Sequence, residues 1–341
     1  MLKVGVIGCG HWGPNLIRNF TQLRRSDVVL VADLDEARLK HMKGLYPTIE
    51  TTKDYRDIIA DPEIDIVTIA TPVHTHYKLA SEALFAQKHV FVEKPITASA
   101  KEAKALIVLS EKHQRKLMVG HTFVYTTAVR KMKEIIDSGE LGKVYYINSQ
   151  RLNLGLFQQD INVLWDLAPH DISIVLYLLD QEPQTVSAVG ASHINPSVED
   201  VAVLTMKFSD SLLAFIQTSW LDPDKIRKMT VVGSKKMMVY DDVQPTEKIR
   251  IYDKGVEGPK LYDTYTEFHY SYKYGDIIIP KIEGTEPLRT ELNHFIDCIL
   301  SNKEPVSNGR SGLYVVKILE AAQKSLDKGN NQVPIAEDHG L

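Results

Sequence analysis

The segment Lys3–Gly13, KVGVIGCGHWG, decides the fold class of this 341-residue chain. A short apolar run ends there in the pattern G-x-G-x-x-G, formed by Gly8, Gly10 and Gly13, and a helix-like stretch follows. Between a strand and a helix, such glycines allow a tight turn, a close approach of backbone to a pyrophosphate and close helix packing. The helix start adds free N–H groups and a positive dipole end. The segment therefore predicts a dinucleotide-binding turn.

The acidic residue after the second strand indicates which dinucleotide is bound. The apolar run Val28–Ala32 ends in Asp33, about 20 residues beyond Gly13, where an acid hydrogen-bonds the adenosine ribose. A 2′-phosphate requires a nearby arginine, and the turn holds Leu34 and Asp35 instead. The sequence therefore predicts NAD rather than NADP as the cofactor.

Composition and charge exclude several classes of protein. Hydrophobic residues make up 44% of the chain, charged residues 25%, and the net charge is −4 at pH 7, as in ordinary soluble domains. This charge gives no reason to expect nucleic acid or an anionic membrane as a partner. No apolar run approaches the roughly 18 residues of a membrane span. The two cysteines, Cys9 and Cys298, do not suggest a disulfide framework, so we expect a reduced, cytoplasmic protein.

The first 120 residues alternate strand-like and helix-like runs. Strands are predicted at 2–7, 27–33, 65–70, 89–92 and 117–120, with helices at 35–44, 75–87 and 99–114. Runs such as Ile66–Ala70 are short, β-branched and nearly unbroken, as in strands buried on both faces. The alternation predicts an α/β fold with a doubly wound parallel sheet. Residues 1–121 are therefore interpreted as a Rossmann domain.

The pattern changes after Gly120. Helices are predicted at 127–137, 166–179, 288–301 and 310–328. Strand-like runs follow one another without intervening helices at 143–151, 185–193, 200–208, 211–220, 228–233, 237–240 and 248–252. Such runs predict a large, mostly antiparallel sheet. Residues 122–341 are therefore interpreted as an α+β domain for substrate binding and oligomerisation.

The segment 254–287 is rich in Gly, Pro and Tyr and predicts an irregular excursion. It carries five tyrosines, namely Tyr262, Tyr265, Tyr270, Tyr272 and Tyr274. They could line a sugar pocket, or belong to an ordered surface loop or a subunit contact.

Three further segments lie where chemistry is expected. The stretch 70–76, ATPVHTH, follows a predicted strand, Glu93-Lys94-Pro95 follows the next, and 165–171, WDLAPHD, opens an apolar helix. Open α/β sheets bind ligands at the carboxyl ends of their strands. Together with the glycine turn, these motifs resemble the glucose–fructose oxidoreductase, inositol dehydrogenase and MocA family over nearly the whole chain. The resemblance implies an NAD-dependent oxidoreductase.

The resemblance also implies catalytic roles. Lys94 matches the lysine that hydrogen-bonds the reacting hydroxyl, and Asp166 and His170 match a D-x-x-x-H pair in which the histidine takes the hydroxyl proton. A histidine has a suitable pKa near neutrality. A structural helix-cap histidine is the alternative for His170. Residues 160–165 depart from the family's glycine-rich stretch, although Leu164 fits it, and Pro169 predicts that His170 lies in the first helical turn.

Cofactor contacts are expected from the glycine turn, the ribose acid and the two loops after the later strands. They are Gly8, Gly10, His11, Trp12, Gly13, Asp33, Thr71, Pro72, His76, Glu93 and Lys94. His121 follows the last strand of the parallel sheet and could face the nicotinamide or lie in the core. His74 and His76 are two residues apart without an evident third ligand, so no metal site is expected.

The substrate is expected to be a sugar. The opening GHWGPNLIRNF and the WDLAPHD segment most resemble family members acting on nucleotide-linked amino sugars. This implies oxidation of the 3-hydroxyl of a UDP-N-acetylhexosamine, or of its uronic acid, in surface-polysaccharide biosynthesis. Candidate substrate residues of the second domain are Arg151, Asn153, Trp220, Lys225, Arg227 and Arg310. An inositol or free-sugar dehydrogenase, an NAD-dependent glycosidase and a non-catalytic NAD-binding regulator remain as alternatives.

The sheet of the second domain needs cover on both faces, because a large exposed apolar face is unusual in a soluble protein. The predicted helices suffice for one face only. The sequence therefore predicts a homodimer or homotetramer formed through residues 143–252.

Overall fold

The computed structural model describes residues 1–158, 161–257 and 270–335. The chain divides into two compact units, Met1–Thr126 with Thr285–Glu320, and Thr127–Gly284 with Ala321–Leu341. The predicted continuous second domain 122–341 therefore needs correction, because residues 285–320 pack with the first unit.

The first unit is built on a six-stranded parallel sheet in the order β3-β2-β1-β4-β5-β6, which confirms the Rossmann prediction. Its strands are β1 (Leu2–Ile7), β2 (Ser26–Ala32), β3 (Glu50–Thr52), β4 (Ile66–Ile69), β5 (His89–Glu93) and β6 (Leu117–Gly120). Its crossover helices are α1 (Gly13–Gln22), α2 (Glu36–Leu45), α3 (Arg56–Ala60), α4 (Val73–Phe85) and α5 (Ala100–His113). The short β3 and α3 are absent from the sequence prediction because three and five residues carry too little periodicity.

Residues 285–320 return to the first unit and add two helical segments to it. These residues contain α8 (Pro287–Leu300) and the first part of α9 (Gly309–Asp327). Earlier in the chain, a 3₁₀ turn at Thr122–Tyr125 follows β6. Phe295 of α8 packs on Phe91 of β5 with ring centroids 6.0 Å apart. The amphipathic pattern of α8 predicted a helix, but a pattern does not specify which sheet its apolar face will cover.

The second unit is built on a nine-stranded sheet in the order β14-β13-β12-β11-β7-β10-β9-β8-β15. Its elements are α6 (Thr127–Asp137), β7 (Val144–Leu152), α7 (Val163–Leu179), β8 (Thr185–Ala191), β9 (Val201–Lys207), β10 (Leu213–Ser219), β11 (Ile226–Gly233), β12 (Met237–Asp241), β13 (Ile249–Glu257), β14 (Ser271–Ile278) and β15 (Val333–Pro334). All pairs are antiparallel except β10 with β7. The predicted mostly antiparallel sheet is confirmed.

The prediction of an irregular excursion over 254–287 is wrong in part. Residues 254–257 continue β13, and β14 pairs with it, with Tyr272 opposite Val256 and Tyr274 opposite Lys254. The glycine and proline content of the segment obscured this hairpin. Tyr270, Tyr272 and Tyr274 are exposed, whereas Tyr262 and Tyr265 lie outside the described residues.

Helix α7 begins earlier than predicted. Its first residue is Val163, and the Asn162 side chain caps it by accepting from the Trp165 N–H at 3.1 Å. Pro169 consequently lies inside the helix, so the prediction of His170 in the first turn is wrong. The asparagine cap was the signal available in the sequence. Asp160, the first residue of the stretch 160–165, lies outside the described residues.

None of the helices in the described ranges has both the length and the apolar content needed to cross a membrane.

Candidate active site

The glycine turn at the end of β1 is shaped for backbone proximity. Gly8 has a φ of +100°, and a Cβ on it would lie 2.6 Å from the Ala70 carbonyl oxygen. A Cβ on Gly13 would lie 2.0 Å from the Gly8 carbonyl oxygen, so no larger residue fits where α1 starts. Gly10 has neither a positive φ nor a close neighbour, because a Cβ on it would lie 3.7 Å from the nearest atom, in the Arg38 side chain. The turn leaves Gly10 as the open position at which a phosphate can approach the backbone.

The start of α1 is available to an anion. Trp12 occupies the N-cap position and makes no side-chain cap hydrogen bond within the described structure. Pro14 has no N–H and the Asn15 N–H donates to the Trp12 carbonyl at 3.0 Å, so the helix offers an anion chiefly its dipole. His11 and Trp12 are exposed beside this turn, with their rings edge to face at 5.9 Å. Turn and helix start thus fit the pyrophosphate of a dinucleotide.

Asp33 is held rigidly at the end of β2. The Cys9 N–H donates to Asp33 Oδ2 at 2.6 Å, and the Asp35 N–H donates to Oδ1 at 2.8 Å. A carboxylate keeps further acceptor sites for a ribose hydroxyl. The turn itself holds no arginine, as the sequence indicated, but Arg38 of α2 lies 3.7 Å from Asp33 Oδ2. Arg38 lies beyond the loop that carries Asp33 in sequence, but the first turn of helix α2 places its side chain next to this carboxylate.

His76 supports the cofactor loops from behind. It is 1% exposed, and its ring nitrogens lie 2.8 Å from the carbonyl oxygens of Thr71 and Pro95. The expected direct contact with the cofactor is therefore corrected to a link between the loops after β4 and β5. Burial lowers the pKa of His76, which favours a neutral ring that donates to one of the two carbonyls. Thr71 and Pro72, at the start of α4, remain predicted contacts.

The E-K-P motif begins at Glu93, the last residue of β5. Lys94 is half-buried, whereas Glu93 is 8% exposed, so the prediction of Glu93 as a cofactor contact is corrected to a buried group. Burial raises the pKa of Glu93 to about 7, and the Lys94 ammonium opposes that rise. His121 is 1% exposed and lies in the core, the second of its two predicted alternatives. Burial, aided by the Lys94 charge, lowers its pKa to about 3, so the ring is neutral.

The second unit carries the predicted acid–base pair on α7. Asp166 and His170 are one turn apart inside a regular helix, so they share a face. Asp166 is half-buried, and its Oδ2 accepts a hydrogen bond of 3.0 Å from the Trp220 indole N–H. Trp220 itself is 1% exposed. The expectation of Trp220 as an aromatic substrate surface is therefore wrong, and its role is to fix Asp166.

Two of the expected substrate cations are engaged elsewhere. Arg151 of β7 is 5% exposed, and its Nε donates to Asp171 of α7 in a buried ion pair. Arg310 lies in the first unit, 2.9 Å from Glu111, in a groove that also includes His89, the first residue of β5. That is the amino end of the strand, opposite to Lys94. The prediction of both as substrate contacts is corrected.

The other substrate candidates stay predictions. Lys225 is exposed and Asn153 is half-buried in the second unit. Arg227 lies 3.6 Å from Asp242 and directly opposite Arg151 across the β11–β7 pair, on the face covered by α7. Arg38 was not predicted, although its spacing from Asp33 was a usable signal, and nothing in the sequence indicated that Trp220 donates to Asp166.

The fold and these residues together define an NAD-binding oxidoreductase. Residues 2–121 match the model described as an oxidoreductase family with an NAD-binding Rossmann fold, and residues 129–239 match the GFO/IDH/MocA C-terminal domain. The chain belongs to the glucose–fructose oxidoreductase, inositol dehydrogenase and MocA family.

Relatives match over almost the whole length. An uncharacterised oxidoreductase of Bacillus subtilis is 26% identical, over 99% of this chain and 97% of its own. Myo-inositol 2-dehydrogenase of Thermotoga maritima is 24% identical, over 96% and 97%. The structure of UDP-N-acetylglucosamine 3-dehydrogenase from Acidithiobacillus ferrooxidans has a TM-score of 0.79 at 23% identity, over 96% and 98%. The last similarity concerns the fold.

Proposed function

We propose that the protein oxidises a secondary hydroxyl of a cyclic polyol or sugar with NAD. The observation that carries this proposal is the helix α7, where Asp166, fixed by Trp220, lies one turn before His170. A secondary alcohol needs a base near neutrality and a group that orients the hydroxyl. Lys94, half-buried at the carboxyl end of β5, supplies the second requirement.

Each residue has a defined task in this proposal. Bound NAD supplies the hydride acceptor. The Lys94 ammonium donates a hydrogen bond to the substrate oxygen, and a His170 ring nitrogen takes the hydroxyl proton as the hydride leaves the same carbon. The Asp166 carboxylate favours the imidazolium that forms, and the Trp220 indole keeps that carboxylate oriented.

A free polyol or sugar is the better-supported substrate class. A nucleotide sugar needs cations for its diphosphate, and two of the four expected cations, Arg151 and Arg310, are engaged elsewhere. The similarity to a myo-inositol 2-dehydrogenase supports the same choice. The UDP-N-acetylhexosamine hypothesis keeps the exposed Lys225 in its favour, together with Arg227, and the relative that acts on UDP-N-acetylglucosamine.

A substrate panel tests the proposal. The protein is mixed with NAD and, separately, with myo-inositol, scyllo-inositol, glucose, UDP-N-acetylglucosamine and its uronic acid, and NADH is followed by absorbance. We expect NADH from an inositol or free sugar and little from the UDP-sugars. NADH from the UDP-sugars alone would restore the nucleotide-sugar hypothesis.

The alternative classes give different results in the same assay. Release of free sugar from a glycoside without net NADH would indicate the glycosidase. NAD binding without oxidation of any cyclic polyol or sugar would indicate the regulator.

A further inference from the structure

A closed polar compartment lies behind Lys94 in the first unit. It contains Glu93, His121 and Glu291, which are 8%, 1% and 0% exposed. The Thr122 hydroxyl donates to Glu291 Oε2 at 2.7 Å. Burying two carboxyl groups and an imidazole away from water costs folding free energy. Such buried titratable groups are typical of functional sites, so we expect these three to influence Lys94.

Several elements build this compartment. Glu93 ends β5 directly opposite Gly120 of β6, and a Cβ on Gly120 would lie 3.1 Å from Glu93 Oε2. Glycine at position 120 thus lets the carboxyl lie against the neighbouring strand. Glu291 comes from α8, which packs on the 3₁₀ turn that carries Thr122. The chain returns from residue 285 onward to place this second carboxyl here.

The polar atoms of the compartment are largely unsatisfied. Within the described residues, Glu93 Oε1, Glu291 Oε1 and both ring nitrogens of His121 are buried without a hydrogen-bond partner. The Lys94 backbone N–H donates to Glu93 and the Thr122 hydroxyl donates to Glu291, which is little support for a buried negative charge. Two ionised carboxylates would be worse, because each would also repel the other.

The surrounding charges decide which carboxyl is ionised. The Lys94 ammonium lowers the pKa of Glu93, whereas the Glu93 charge adds to burial in raising the pKa of Glu291. Thr122 is the only group that favours the ionised form of Glu291 among its resolved influences. His121 is neutral, and His294, also on α8, is turned to the Tyr125 ring and the Cys298 thiol. The negative charge therefore belongs to Glu93.

We propose that the buried Glu291 keeps its proton, so that Glu93 alone supplies negative charge beside Lys94. A single carboxylate favours the ammonium form of Lys94, which is the form that donates to the substrate oxygen. A second carboxylate would leave the compartment with excess negative charge. The consequence for turnover rests on the proposed function, whereas the protonation of Glu291 does not.

Infrared spectroscopy of the cofactor-free protein at pH 8 tests the protonation directly. We expect the carbonyl stretch of a protonated carboxylic acid in the wild type, its loss in Glu291→Gln and its retention in Glu93→Gln. The exposed Glu111→Gln is the matched control and should keep the band. No band in the wild type, or a band that survives Glu291→Gln, would overturn the proposal whatever the substrate is.

The pH dependence of turnover tests the effect on Lys94. Glu291→Gln replaces a neutral group by a neutral isostere, so its pH profile should superimpose on that of the wild type. Glu93→Gln should displace the limb that reports Lys94 to lower pH by about one unit, because the ammonium loses its counter-charge. A displaced profile for Glu291→Gln would show that Glu291 is ionised and would contradict the proposal.

Discussion

We expect Asp33 and Arg38 to decide between NAD and NADP. Asp33 repels a 2′-phosphate and is fixed by two backbone N–H groups. We expect NAD to bind at least roughly tenfold more tightly than NADP, about 1.4 kcal/mol, in a fluorescence titration. Equal affinities would contradict the role of Asp33.

The arginine makes this prediction testable in both directions. In Asp33→Ser, Arg38 loses its neighbouring carboxylate and becomes available to a 2′-phosphate, so NADP binding should improve while NAD binding weakens. The double variant Asp33→Ser/Arg38→Ala is the control and should lose the gain for NADP.

Glu93 makes stability depend on pH. Its pKa of about 7 in the folded protein exceeds the ordinary 4.5, so the folded state holds an extra proton between these values. Stability is therefore lost as pH rises from 4.5 to 7 and stays lower above it, by about 3 kcal/mol at most. We expect Glu93→Gln to melt several degrees above the wild type at pH 8, with the difference closing towards pH 5.

The contribution of His121 to stability depends on pH in the opposite sense, and His121 is present in both the wild type and Glu93→Gln. Its pKa is lowered to about 3, so its contribution to stability is lost as pH falls below about 6.5. The difference between wild type and Glu93→Gln isolates Glu93. A melting difference that is constant from pH 5 to pH 8 would refute the raised pKa.

A hydrogen bond joins helix α7, at the turn that carries Asp166, to the residue that follows β10. The Trp220 indole, just after β10, holds Asp166. Trp220→Phe should lower kcat about tenfold, since one hydrogen bond to a charged group is lost, while NAD affinity is unchanged. Tyr240→Phe removes another buried hydrogen bond of the same sheet, to Asp242, and should leave kcat near normal. Unchanged kcat in Trp220→Phe would show that Asp166 does not need this support.

The sequence predicted the helices and strands better than it predicted the contacts of individual side chains. Periodicity and turn residues predicted the parallel strands and the long helices, because these patterns are local. Arg151 and Arg310 resembled substrate cations because their ion-pair partners, Asp171 and Glu111, are distant in sequence. Glu291 gave no signal at all, since its surroundings exist only after the chain returns to the first unit. The catalytic assignment of Lys94, Asp166 and His170 rests on spacing and on resemblance to the family, and it stays a prediction.

We expect whole molecules to associate through the face of the nine-stranded sheet that lies opposite α7. This face presents Val203, 42% exposed, and the ring pair Tyr146 and Phe215. We expect a homodimer or homotetramer through residues 143–252, detected by light scattering at micromolar concentration. Val203→Lys should shift the mass towards the monomer, whereas Lys207→Ala on the same strand should not. A monodisperse wild-type monomer would contradict the prediction.

The whole account depends on oxidation through Lys94 and His170 in an NAD-binding protein. The most direct test is the turnover of Lys94→Ala with NAD and the substrate that the panel identifies. We expect a loss of about 10² or more with NAD affinity nearly intact, the usual scale for a lost acid–base or positioning group, and the same for His170→Ala. Near-normal turnover in Lys94→Ala, with NAD bound and the fold intact, would contradict the account.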